Sequence, residues 1–304
     1  MTSNKAQVPK LSVPAVGEPI TFRNYVVGFF DILGQREHLS RMGPIPSNED
    51  ERKAFEQRAR HTVGAIHAMR TVFNAYFANY IPADPPGFVS KLPTEQRERV
   101  LRASEIEAYF QGFSDTLIVF MPVTNRHDAY QWRGLHSLFA ACATLVPTLL
   151  GEEVALRGAV ELGVGVEFVE GEIYGPVLQR TYELESRLAG YPRIVVGDAL
   201  VGHLERYALH RGEAEVEGIS GEAYDRHSKW LGVDADGVSI VDYLGKSARE
   251  MLGDYTKDRI KDAYHFICRE ERRFEQRRDE KLVARYALAK RYYETRCSDI
   301  LGLP

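Results

Sequence analysis

The stretch Tyr25-Val26-Val27-Gly28-Phe29-Phe30-Asp31-Ile32-Leu33-Gly34 decides the fold. Its first six residues are apolar on both faces and too few for a typical helix, which predicts a central strand ending at Asp31. Folding is expected to begin at Asn24, after a flexible N-terminal arm over residues 1–20 that carries Pro9, Pro14 and Pro19 and little periodicity. Downstream, Ser47 is positioned to cap a long helix reaching Tyr80, with Ala59, Val63, Ile66, Met69, Phe73 and Phe77 on one stripe and Pro82, Pro85 and Pro86 as its stop. Ile106–Phe110 and Thr116–Phe120 read as strands of a hairpin joined through Gly112-Phe113-Ser114-Asp115. A second helix from His127 to Leu150 and a strand from Val154 to Val166 follow.

This order of strand, helix, strand, strand, helix, strand is the split βαβ, ferredoxin-like plan: an α+β fold in which helices pack on one face of an antiparallel sheet. In that plan the third strand runs antiparallel beside the first, so the end of one meets the start of the other. Asp31 and Asp115 are thereby predicted to be neighbours. Further along, a helix over Val177–Leu188, a strand at Arg193–Val196 and another at Gly237–Leu244 are expected. The division is an arm over 1–20, a single large domain over 21–245 and a charged helical C-terminal extension over 246–304.

Bulk properties exclude several classes. With 39 Lys+Arg against 43 Asp+Glu and a net charge of −4, nothing in the overall balance suggests nucleic-acid binding. The three cysteines, Cys142, Cys268 and Cys297, are far apart and lack metal-ligand spacing, which fits a reducing cytoplasm rather than a disulfide framework or zinc site. No leader pattern and no uninterrupted apolar run long enough for a membrane span occurs, so no membrane association is expected. His203-Leu204-Glu205 lacks the cysteine pair of a zinc deaminase.

Two carboxylates at neighbouring strand ends suit hard divalent cations, which take oxygen ligands and bridge polyphosphates. Gly34, in the turn after Asp31, allows backbone N–H groups to approach a phosphate. An aspartate after a strand also serves as a turn former or cap, and the predicted pairing is what singles these two out. Phe29, Phe30, Phe73 and Phe77 read as core, whereas Phe113 and Tyr174 lie in turns where a ring could stack on a base.

These segments resemble the class III adenylate and guanylate cyclases. Phe30-Asp31-Ile32-Leu33-Gly34 is similar to their first metal-aspartate segment, and Gly112-Phe113-Ser114-Asp115 to their second. Leu156-Arg157-Gly158-Ala159-Val160 with Gly163, then Ile173-Tyr174-Gly175-Pro176-Val177 and Tyr182-Glu183-Leu184-Glu185, fall where the family has its later strand and helix motifs. The resemblance spans residues 24–200. It implies metal ligation of Mn2+ or Mg2+, two ions, at Asp31, Ile32 and Asp115, substrate contacts at Phe30, Gly34, Phe113 and Tyr174, and a head-to-tail homodimer with active sites at the interface.

Departures from the purine enzymes sharpen the expectation. Gln111 stands four residues before Asp115, where those enzymes read the base, and an amide offers both a donor and an acceptor to a pyrimidine edge. Glu172 occupies the other base-reading position. Arg157-Gly158-Ala159, the Tyr174-Gly175-Pro176 turn and the Tyr182–Glu185 helix resemble the pyrimidine cyclases of bacterial Pycsar antiphage systems. That resemblance implies cyclic UMP made from UTP for a separate effector, with CTP, a purine substrate and a catalytically dead nucleotide sensor as alternatives. Gln179 and Glu183 stand where purine cyclases have a transition-state Asn and Arg, and Glu cannot neutralise a phosphate. Arg157, Arg180 and Arg187 are the candidate cations, and Lys281 in the tail is a candidate for reaching the triphosphate.

Overall fold

The computed structural model describes residues 21–35, 42–81, 87–169, 171–209, 227 and 229–303, so the expected arm and the prolines that end the first helix lie outside the described residues. The decisive stretch forms β1 (Phe22–Ile32). Its neighbours are β3 (Thr116–Pro122) on one side and β4 (Leu156–Val169) on the other, both antiparallel, and β2 (Tyr109–Phe113) pairs with β3 at the edge. The run β2-β3-β1-β4 is the split βαβ order the sequence predicts. Beyond β4, β6 (Ile194–Val196) adds in parallel, followed by β8 (Ser239–Val241) and β7 (Leu231–Val233), while β5 (Glu172–Tyr174) pairs with the far end of β4. The sheet is therefore mixed rather than purely antiparallel.

Helices α1 (Glu49–Asn79) and α4 (Trp132–Gly151) cover the face that carries Val26, Phe30 and Ile32, and α7 (Lys246–Arg277) packs against the other side of α4. Short α2 (Phe88–Lys91) and α3 (Thr94–Ala103) lie between α1 and β2. The opposite face is not bare, as the one-sided plan expected. There α5 (Pro176–Leu188) seats Val177 on Tyr25, Val27, Ile118 and Phe120. From Tyr25 to Ile32 the residues of β1 are thus buried or half-buried on one side or the other, which is why this run shows no polar alternation. Helices α6 (Asp198–Leu209) and α8 (Glu280–Leu301) complete the chain.

Several boundaries move for local reasons. Asn48 rather than Ser47 caps α1, its side chain accepting from the Asp50 N–H at 2.9 Å, with Glu49, Asp50 and Glu51 beside the positive end of the helix dipole. The buried stripe of α1 runs through Thr62, Ala65, Met69, Phe73 and Phe77, and Val63 is exposed. The run from Ile106 to Ala108 joins no strand among the described residues, and β2 begins only at Tyr109. There the Gln131 side chain takes the ladder's place, accepting from the Glu107 N–H at 2.6 Å and donating to the Pro122 carbonyl at 2.6 Å. Residues 127–131, expected as the start of a helix, form a loop closed on the Asn125 side chain, which accepts from the His127 and Ala129 N–H groups. Helix α4 is long and apolar enough to cross a membrane by length and composition alone, yet 83% of that window is buried inside the fold.

Candidate functional site

The site begins with strand register. Asp31 stands opposite Thr116 in β3 and opposite Arg157 in β4, so all three side chains leave the sheet on the α5 face. Asp115 directly precedes Thr116 in the two-residue turn between β2 and β3, where Ser114 takes a φ of 52°. The predicted meeting of the two aspartates is what the register produces. Burial is the main reason the Asp31 carboxyl sits above its ordinary pKa, and the charge of Asp115 adds to it, against the lowering effect of Arg157.

Asp31 is held from both flanks. The Thr116 hydroxyl donates to Oδ1 at 3.5 Å, and Arg157 Nη2 lies 3.5 Å from Oδ2. Arg157 in turn pairs through Nε with Glu185, which projects inward from the buried ladder Val177–Thr181–Glu185 of α5. Burial pushes the Glu185 carboxyl up to about 7, with Arg157 opposing and Asp31 reinforcing that shift. The turn itself is pinned by Arg70 of α1, whose Nη2 donates to the Ser114 carbonyl at 3.1 Å and the Thr116 carbonyl at 3.4 Å. Gly112 makes room for this, since a methyl group there would run into the Arg70 guanidinium. On the other side of Asp31, Gly34 is exposed at a φ of 87°, and none of the described residues crowds the position a side chain would take there.

Other predicted residues scatter over the fold. Phe30 is a correction as a substrate-contacting side chain, because its ring is buried against Phe73 on the opposite face of the sheet. Ile32 likewise buries its side chain in the core, so only its carbonyl is available to a metal. Phe113 is 76% exposed and lies in the Asp31 row, paired to Thr116. Gln111 shares the face but stands two strands from β1, about 10 Å away. Tyr174 pairs with Val166 and Glu172 with Val169, so at roughly 3.3 Å per residue they sit about 30 Å and about 40 Å along β4 from Arg157.

On α5 the exposed Gln179, which donates to Glu183 at 3.1 Å, lies about 1.7 turns or about 9 Å before Glu185. Arg187 is exposed two residues beyond Glu185, which turns it away from Asp31, so within one chain it is not positioned as a cation for this site. Arg180 lies beside Gly163 and near the charge of Glu161, again away from the aspartates. Lys281 is exposed in the first turn of α8. One turn further along, Arg285 lies within electrostatic reach of both Arg157 and Glu185; burial, then Arg157, lowers its pKa.

Sequence reasoning passed over Arg70, Glu185 and Arg285. Arg70 was findable, since it interrupts the apolar stripe between Ile66 and Phe73 at the spacing of a buried face. Glu185 follows Val177 and Thr181 at four-residue spacing, but that spacing alone does not say which face of the helix is buried. Among the described residues, no group of three or more His, Cys, Asp or Glu side chains is arranged to hold a metal. The two aspartates are a pair of hard oxygen donors, which suits a cation that completes its shell with water and phosphate oxygens.

Two guanylyl cyclase domains are among the solved structures that match the chain. One is the catalytic core of a rhodopsin-guanylyl cyclase with converted specificity in complex with ATPαS, 12% identical, with a TM-score of 0.35 over 60% of this chain and 82% of that one. The other is the monomeric guanylyl cyclase domain of the RhoGC fusion protein from the aquatic fungus Blastocladiella emersonii, 12% identical, with a TM-score of 0.36 over 73% of this chain and 95% of that one. No family model matches the chain, and no curated protein does. At these scores the functional reading is borne by the topology and the residues of the chain itself.

Proposed function

We propose that the chain is a nucleotidyl cyclase of the class III type, acting on UTP to give 3′,5′-cyclic UMP and pyrophosphate. The observation that carries this reading is the β1–β3–β4 register, which sets Asp31 and Asp115 side by side and lays Arg157 against Asp31. Asp31 and Asp115, with the Ile32 carbonyl, would hold two Mg2+ or Mn2+ ions. When bound, these ions lower the pKa of the ribose 3′ hydroxyl and stabilise the departing pyrophosphate. Thr116 orients the Asp31 carboxylate, Arg70 fixes the turn that presents Asp115, and the main chain at Gly34 receives phosphate oxygens. The attacking 3′ oxygen, the α-phosphorus and the leaving oxygen must lie in line, so this positioning is most of what the protein contributes.

The base is read by Gln111 and Glu172, with Phe113 or Tyr174 offering an aromatic face. Within one chain Glu172 and Gln179 do not reach Asp31, which favours a head-to-tail homodimer whose site takes its metal ligands from one protomer and its base-reading residues from the partner. The cyclic nucleotide would serve as a cytoplasmic messenger in antiphage defence, read by a separate effector. Incubation with all four ribonucleoside triphosphates and Mn2+, followed by mass spectrometry, tests the substrate. Cyclic UMP is the expected main product, and dominant cyclic AMP or GMP would overturn the pyrimidine assignment. Triphosphate binding without cyclic product or pyrophosphate would instead favour a nucleotide sensor.

A further inference from the structure

Arg157 is shared between two carboxylates in unlike surroundings. Glu185, with its side chain 2% exposed, is fixed on the buried face of α5 and receives the guanidinium through Nε. Asp31, with its side chain 23% exposed, takes only a 3.5 Å contact from Nη2 at the open edge of the site. A buried carboxylate without a partner is costly, so the Glu185 contact is the one the protein keeps. The Asp31 contact is longer and closer to solvent, and therefore easier to give up. A divalent ion on Asp31 would also meet the positive charge of Arg157 across the same carboxylate.

We infer that Arg157 is a metal-displaced arginine, which neutralises Asp31 until a divalent cation binds and then, still anchored on Glu185, turns its free Nη groups to the substrate phosphates. This inference rests on the cyclase reading, because it requires metal at Asp31 and Asp115. It assigns the positive charge that Glu183, at the usual arginine position, does not supply. It also couples two events, since the cation that completes the metal site releases the guanidinium that faces the phosphate. Glu185 is a positioning residue in this arrangement.

The test is titration of the full-length protein with Mn2+ in the absence of nucleotide, free Mn2+ being followed by electron paramagnetic resonance. Arg157→Met removes the competing charge and is expected to tighten Mn2+ binding about tenfold, while lowering kcat with little change in KM. Glu185→Gln keeps the shape but leaves Asp31 as the only anion for Arg157, and is expected to weaken Mn2+ binding several-fold. Unchanged or weaker binding in folded Arg157→Met would overturn the inference. Should Arg157→Met fail to fold, Glu185→Gln decides, and unchanged affinity there overturns it. Asp115→Ala is the control. If the parent binds no Mn2+ that this change removes, the metal site and the cyclase reading fall together; if it does and the other variants are indifferent, only the displaced arginine falls.

Discussion

Asp31 is a carboxylate whose surroundings resist its charge: partial burial and the neighbouring Asp115 both raise its pKa, and Arg157 with Thr116 only partly offset them. For an acid raised in the folded state, ionisation works against folding as pH rises through that value. A divalent cation between the two aspartates would relieve this, which is the residue-scale reason to expect one. Asp115→Asn removes the like charge and should bring the Asp31 carboxyl back toward its ordinary range, leaving burial opposed by Arg157 and Thr116. Titration of the Asp31 side-chain carbon by NMR measures this directly, and an unmoved pKa would mean the two groups do not interact. Asp31 and Asp115 were legible in the sequence because each ends or begins a strongly apolar strand. Glu185 was not, because a buried glutamate on an otherwise amphipathic helix looks the same as a solvated one until its face is known.

Among the elements, β1, β3 and β4 were readable from their apolar runs, and their mutual order followed from topology alone. Short elements were not. The run Gly237–Leu244 was expected as one strand, yet it pairs only over Ser239–Val241 with β7, around a tight turn in which the Asp234 N–H donates to the Val238 carbonyl. Helices α2, α3 and α6 and strands β5 and β7 were missed, and the sequence pattern assigned α5 to neither face. Which face a helix takes depends on pairing partners far away in sequence, and the local pattern of α5 is compatible with either.

Helix α8 illustrates the same point, since its charge-rich sequence hides a buried side. The Tyr292 hydroxyl donates to Asp242 at 2.6 Å, Arg296 Nη2 lies 3.2 Å from the other carboxylate oxygen, and Tyr243 and Tyr293 pack alongside. Tyr292→Phe leaves the buried Asp242 short of a donor and should cost about 1–3 kcal/mol of stability by urea unfolding. A loss within error of zero would show that α8 is not docked through this contact.

At the scale of the whole molecule, one buried histidine makes stability depend on pH. His227 is 1% exposed, its Nε2 faces the Trp132 carbonyl at 3.1 Å, and its neighbours include His136 and His203. Burial, then His136, lowers its pKa to about 4 from the ordinary 6.5. The unfolded chain therefore takes up the proton first, so this contribution is complete above pH 6.5 and is lost as pH falls toward 4. The difference between those values corresponds to roughly 3 kcal/mol. Comparing the pH dependence of unfolding in the parent and in His227→Gln isolates it: the parent should lose more stability between neutral pH and pH 4.5, and equal slopes would contradict the assignment.

The central claim is that the Asp31–Asp115 pair performs nucleotide cyclisation. Its most direct measurement follows cyclic UMP and pyrophosphate from UTP and Mn2+ in the parent, Asp31→Ala and Asp115→Ala, each first shown to melt as a folded protein. The parent should release the two products in equal amounts, and each variant should fall by about a hundredfold or more. Parent-like turnover in either alanine variant, or no cyclic product from the parent with any of the four ribonucleoside triphosphates, would contradict it.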